Sequence, residues 1–374
     1  MRRADAGFSL IELMVAVTLG LMLTAALISM FVGTRSAYQS TSGVGAVADE
    51  GRFALHSIAQ LARSAGFVGC ANATTTVVGA TVTSNIDDTV LNVASAPLAY
   101  DFRYAVGGYE AAGTGVSGTL TLPATATAGA AASNWTPNLD AAFTGATNQQ
   151  VKGSDVVVVR STLPQATPVY TTADAPAGSS SFTVSSAGNL QANQLAVISN
   201  CMRSVPFQIS GVTAGTPATV SFGGTTGAPG NAAAALPIDF SAGALVYPLT
   251  TTVFYIGVGA DGDSALRRLD LQNGKVGPAI FTDGEVVEDV ENMQVLYGLN
   301  SGSGIAYVTA DQVPDFSAVV SLEVAVLVAS PPGSVPAPAT APTFNLLGVT
   351  VTAPKDTRMR RVFTKTIGLR DALH

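Results

Sequence analysis

Residues 8–34 read FSLIELMVAVTLGLMLTAALISMFVGT, and the 22 residues from Leu13 to Thr34 carry no charge. As a helix rising 1.5 Å per residue, that run covers about 33 Å, enough to cross the hydrocarbon core of a bilayer. Arg2 and Arg3 precede it. The positive-inside rule therefore places the N-terminus in the cytoplasm and everything beyond about Arg35 on the far side. A cleaved secretory signal is the alternative, since small residues such as Ala25 and Ala26 lie in the run. Two features weigh against it: the stretch is longer than an ordinary signal core, and Glu12 sits at its edge.

A carboxylate beside an apolar span is costly when drawn toward the bilayer centre, so it calls for a partner. No side chain from Phe8 through Val32 is cationic. A chain end can supply the charge. Cleavage between Gly7 and Phe8 creates an amine one helical turn from Glu12.

The heptapeptide Gly7-Phe8-Ser9-Leu10-Ile11-Glu12-Leu13 resembles the type IV prepilin cleavage and methylation motif. The resemblance implies that an inner-membrane prepilin peptidase removes residues 1–7, requires Gly7 before the cut, and methylates the amine of Phe8. It also implies that Glu12 faces the Phe8 amine of a neighbouring subunit in the filament and helps set their stagger. An ion pair in a low-dielectric helical core is strongly favoured over two unpaired charges.

Whole-chain composition agrees with an anchored, translocated protein. Of 374 residues only 11% are charged, and mean hydropathy is +0.38. A net charge of −7 without a long basic run gives no electrostatic case for direct nucleic-acid binding. The local cluster Arg358, Arg360, Arg361 and Lys365 alternates with Val362, Phe363 and Ile367, which reads as the solvated face of a strand. Cys70 and Cys201 are the two cysteines. In an oxidising compartment such a pair points to one disulfide, whereas in the cytosol it would be two buried thiols.

Before Pro97 there is no proline, so nothing breaks a long helix early. Gly43 and Gly45 weaken it locally, by about 1 kcal/mol each relative to alanine. Ala54, Ile58, Leu61 and Ala65, widened by Leu55 and Ala62, share one helical face, with Glu50, Arg52, Gln60 and Arg63 opposite. His56 lies on this helix with no second ligand in register, and reads as a surface or half-buried residue.

The segments Gly51–Leu55 and Arg63–Cys70 resemble the PilW family of type IV pilus minor pilins, in which the first helix ends in an Ala-Gly-aromatic-x-Gly-Cys turn. Gly66 and Gly69 can take positive φ at such a helix end. The stretch Leu195–Ile209 around Cys201 resembles the matching strand pair. Residues Glu285–Gly298 are similar to a segment in which a short acidic helix leads into a strand, and Arg360–Arg370 to the closing strand.

Beyond Cys70 short β-branched runs alternate with Gly, Pro, Asn and Asp. Strands are expected at 155–161, 181–185, 194–199, 245–256, 265–271 and 319–329. Asp261-Gly262-Asp263 reads as a hairpin turn rather than a calcium loop, because carboxylates at EF-hand spacing are missing. Residues 111–133 and 211–236, rich in Ala, Gly and Thr, read as surface loops, and 331–342 as a proline-rich connection. Glu285, Glu288, Asp289 and Glu291 read as a solvated face rather than a metal or acid–base site.

The expected architecture is α+β: a leader at 1–7, a transmembrane and filament-core helix at 8–34, an amphipathic helix at 35–69, and a β-rich domain at 70–374. The chain contains no nucleophile elbow, no His-Glu-x-x-His and no phosphate loop, so an enzyme is not expected, and no cofactor or metal is implied. The resemblance implies a pilus-assembly protein acting with other minor pilins, the major pilin and the inner-membrane assembly platform. It would sit in a tip priming complex that can carry a PilY-type adhesin, in filaments used for adhesion or twitching motility. A J-type minor pseudopilin of type II secretion, or a DNA-uptake pilus component, is the alternative.

Overall fold

The computed structural model describes residues 9–69, 75–78, 81–84, 86–93, 97–144, 148–163, 166–200, 202–223, 229–271, 281–300 and 304–369. One helix, Leu10–Ala62, runs unbroken for 53 residues, about 80 Å. It stops at Ala62 and not at 69. Arg63 still donates to Ala59 and the next residues tighten into turns, after which Gly66 and Gly69 reverse the chain at φ +83° and +90°. Positive φ is nearly free for glycine, which is why the turn is built from it.

Among the described residues, the first half of this helix is exposed on every side. Its most apolar 18-residue window has mean hydropathy 2.3 and is 0% buried. The second half docks along one face: Val47, Ala54, Leu55, Ile58, Ala59, Leu61 and Ala62 are buried. Arg52, His56, Gln60 and Arg63 stay exposed, whereas Glu50, expected beside them, is half-buried. The periodicity of the sequence thus places the correct face inward.

Opposite the helix lie two sheets. The smaller has four antiparallel strands in the order Ile305–Val308, Val290–Asn300, Val319–Ala329, Arg360–Gly368. The larger has nine strands and is organised by the 14-residue strand Leu245–Val258. One stretch of it pairs with Leu195–Ser199, another with Ser264–Leu271 on the same edge, and Val156–Thr162 lies along the other. Helix, small sheet and one face of the large sheet share a core that includes Ile58, Phe254, Met293, Leu322 and Val326. A second core, around Tyr100, Phe102, Tyr109 and Trp135, covers the opposite face of the large sheet.

A buried polar clip joins the sheets. Asp155, just ahead of Val156–Thr162, accepts from the backbone N–H of Ala111 at 2.9 Å in the large sheet and of Val295 at 2.8 Å in the small one. Asn292 and Gln294 donate to the Gly153 carbonyl at 2.7 and 3.1 Å. Glu110 stands nearby with one oxygen unpartnered. Burial, then the Asp155 charge, hold the Glu110 carboxyl well above the usual range. With two N–H donors aimed at Asp155, the proton of this pair belongs on Glu110.

Two sequence expectations change here. Residues 285–298 form no helix: Phe281–Val287 and Val290–Asn300 are strands joined by a turn in which Asp289 takes φ +57°. Val286, Val290, Val295 and Tyr297 want a β-sheet's two faces more than a helix's one. The Ala/Gly/Thr-rich stretches are also more than loops. Thr119–Thr121 pairs in parallel with Val349–Thr352, and Ala218–Ser221 pairs with both Gly211–Thr213 and Ser181–Val184. Ala218, Val220 and Phe222 are fully buried beside Phe182 and Phe207.

Glycines at the seam show how closely the helix is seated. A Cβ at Gly51 would overlap the Phe363 ring, and one at Gly43 would meet the Ser334 side chain, whereas one at Gly45 would meet nothing within 4 Å. Gly45→Ala should therefore raise the melting temperature of the detergent-solubilised chain, by the equivalent of up to about 1 kcal/mol. Gly51→Ala should lower it, since displacing a packed ring costs about 1–3 kcal/mol. A rise in both variants would mean that Phe363 does not sit against the helix.

Candidate assembly surfaces and paired charges

Among the site residues read from sequence, Gly7 and Phe8 lie outside the described residues, as do Cys70 and Cys201. Their immediate neighbours are described. Ser9 is the N-cap of the helix: its Oγ accepts from the Glu12 N–H at 3.3 Å, while its own N–H donates to Glu12 Oε2 at 3.0 Å. This reciprocal capping box satisfies two backbone donors at a helix start that lies in an apolar setting. It also folds the Glu12 carboxylate back to within one residue of Phe8. The Ser-x-x-Glu spacing at Ser9 and Glu12 carries this signal in the sequence, unread above.

Residues flanking the two cysteines meet. The Val68 carbonyl accepts from Ser204 Oγ at 3.0 Å, Ser204 Oγ bonds Ser199 Oγ at 2.9 Å, and a Cβ on Gly69 would lie 2.7 Å from that of Ser199. The Asn200 N–H donates to the Arg203 carbonyl at 3.2 Å beside the paired strands Leu195–Ser199 and Ser204–Gln208. The helix-end turn and the hairpin Leu195–Gln208 are thus in contact at the places where the cysteines attach.

The charges of the C-terminal third pair with one another. Arg358 bonds Asp289 at 2.7 Å and also Asp263. Arg360 grips Glu291 at 2.7 and 2.8 Å and Asp356 at 2.6 and 2.7 Å, with its side chain only 2% exposed. Glu285 accepts from the Ala260 N–H at 2.8 Å. The expected solvated faces are therefore corrected: Arg358, Arg360, Glu285, Asp289 and Glu291 cross-link the hairpins, whereas Arg361 stays exposed over the Phe363 ring. Strand alternation explains the sorting, since Arg358 and Arg360 project to one side and Arg361 to the other.

Asp261-Gly262-Asp263 forms the hairpin turn, with Gly262 at φ +92°. Carboxylate oxygens of Asp261, Asp263 and Asp289 lie within 4.8 Å of one another, but Arg358 already supplies the positive charge there. His56 is exposed on the helix, as read.

With this geometry in hand, comparison with known proteins is specific. Residues 253–371 match the family model of Type IV Pilus-assembly protein W, which spans the long central strand through the closing strand and holds the arginine–carboxylate network. Residues 2–28 match the prokaryotic N-terminal methylation motif. A type IV-like pilin from Thermus thermophilus matches at 20% identity over 34% of this chain and 70% of its own, with a TM-score of 0.22. No curated protein matches the chain. The C-terminal region of the chain is thus similar to the PilW family, and its N-terminus to the methylation motif of type IV pilin-like proteins.

Removing Arg360 strands two half-buried carboxylates. Arg360→Ala should cost about 3 kcal/mol in urea unfolding of the solubilised chain. Arg361→Ala, an exposed position, should cost under about 1 kcal/mol. Equal effects would mean that the two arginines share one environment.

Proposed function

We propose that the chain is a minor pilin that takes part in type IV pilus assembly, in a priming complex at the filament tip with other minor pilins. The observation carrying this reading is the division of one helix. Its first half is apolar and bare and begins within the methylation-motif match, while its second half is built into the domain core against strands of the PilW match. The bare half anchors the precursor in the inner membrane with its N-terminus in the cytoplasm and the domain in the periplasm. Prepilin peptidase cuts between Gly7 and Phe8 and methylates Phe8. The same apolar surface then packs against neighbouring pilin helices. Glu12 changes partner in this step, from the Ser9 N–H to the Phe8 amine of an adjacent subunit. The PilW domain is a structural part, and its place at the tip suits a bulk that would crowd a repeating shaft.

Deletion of the gene, with sheared surface pilin and secreted enzymes scored in parallel, tests the assignment. Loss of surface pilin with normal secretion is the expected result; intact pili with blocked secretion would move the protein to the type II secretion system. Within the same strain, Glu12→Ala should leave peptidase cleavage intact and weaken incorporation. Equal incorporation of wild type and variant would remove Glu12 from the assembly contact.

The contact between the turn at Val68–Gly69 and the hairpin at Ser199–Ser204 supports a disulfide between Cys70 and Cys201. Closing a loop that long stabilises by on the order of 5 kcal/mol in the chain-entropy account. Protein extracted from filaments should react with iodoacetamide only after reduction. Alkylation of unreduced protein at both cysteines would contradict the pairing.

A further inference from the structure

A groove of about 1160 Å³ runs between the docked half of the helix and two strands, one from each sheet. Its walls are helix residues 49–56, the end of Phe281–Val287 with Glu288, and Phe363–Lys365 of the closing strand. Both strands are sheet edges. Among the described residues, Phe281–Val287 pairs only with Ser264–Leu271, and Arg360–Gly368 only with Val319–Ala329.

The register shows which backbone groups of the closing strand are free. Leu369 N–H donates to the Val320 carbonyl and Ser330 N–H to the Met359 carbonyl, so odd-numbered residues face the neighbouring strand. Val362, Thr364 and Thr366 therefore turn their N–H and C=O outward. The groove is lined by Phe363, Thr364 and Lys365 in succession, and so lies alongside the strand at Thr364.

Charge selects the occupant. Asp49, Glu50, Glu285 and Glu288 line the groove against Arg52 and Lys365. Glu50 Oε2 is buried without a hydrogen-bond partner. Burial, then Asp289, Glu288 and Asp49, push the Glu50 carboxyl up to about 7. A cation beside it would relieve both the repulsion and the missing bond. Phe53, 55% exposed, offers an apolar contact at the same wall.

We infer that this groove receives an extended strand of a neighbouring filament subunit, paired to the outer edge of Arg360–Gly368 at Thr364 and placing a lysine or arginine against Glu50 and Glu288. Main-chain bonds to a free edge supply affinity in such strand addition, and alternate side chains supply choice of partner. The inference rests on the pilus-assembly reading for the identity of the partner, but not for the groove's chemistry.

A benzoylphenylalanine photo-crosslinker at position 364 of the full-length chain, irradiated in piliated cells, tests it directly. Mass spectrometry of the adduct should map to another pilin, within a segment carrying lysine or arginine one or two residues from the crosslinked position. Adducts confined to transmembrane helices, or none at all, would overturn the inference. Thr364→Pro removes an outward N–H while leaving the inner ladder intact. It should lower incorporation about tenfold, the loss expected for a bond or two, with an unchanged melting temperature. Glu50→Lys should lower incorporation likewise. If the wild-type chain is in sheared filaments and both variants join it equally well, the groove proposal fails while the assembly reading stands. If the wild-type chain is missing from filaments altogether, the assembly reading itself fails.

Discussion

A single helix that must satisfy two solvents governs this molecule. From Leu10 to about Tyr38 its surface is apolar and uncovered, a state that water penalises at roughly 25 cal/mol for each Å² exposed. From Val47 onward one face of the same helix completes the domain's core. Neither half can be altered without consequence for the other, because no proline or break separates them. The glycines mark the division. Gly43 and Gly51 let the domain approach, while Gly20 and Gly33, in the bare half, meet nothing within 4 Å. A surface of this kind is finished only by lipid or by other apolar helices.

The domain is held to the helix by apolar packing, and to itself by buried polar clips. Asp155 ties one sheet to the other through two backbone N–H groups, and Arg360 ties the closing strand to Glu291 and Asp356. Such groups are worth little as net stabilisation but costly to leave half-paired, so they fix which arrangement of strands is adopted. The match to the PilW family covers the arginine network and the closing strand, which is also the strand the helix crosses. Residues 360–368 are therefore shared by the domain's sheet, the helix seam and the groove.

Much of this was legible in the sequence where a pattern repeats over several residues. The face of Ala54, Ile58, Leu61 and Ala65 is read from its period, and the N-terminal run and the strand at 319–329 from unbroken apolar sequence of the right length. The turn at Asp261–Asp263 was equally readable, because glycine between two aspartates favours reversal. What failed lacked such redundancy. Glu285, Glu288, Asp289 and Glu291 have spacings that fit a helix face, yet Glu285, Asp289 and Glu291 find their places from the Ala260 N–H, Arg358 and Arg360, while Glu288 stays exposed. Likewise Ala218 and Val220 sit in a stretch whose small residues say little about burial until Phe182 and Phe222 close over them. The capping role of Ser9 could have been read from its spacing to Glu12; the edge groove could not, since residues 49–56, 285–288 and 363–365 meet only through the tertiary fold.

Continuity of the helix across its two settings is the claim on which the rest depends, and a distance measurement tests it most directly. Spin labels attached through unnatural amino acids at the exposed positions Thr18 and His56, read by double electron–electron resonance in lipid nanodiscs, report the 38-residue separation. One narrow distribution near 57 Å, about 1.5 Å for each residue, is the expected result. A broad distribution centred well below that value would mean that the helix breaks between membrane and domain, and would contradict the account.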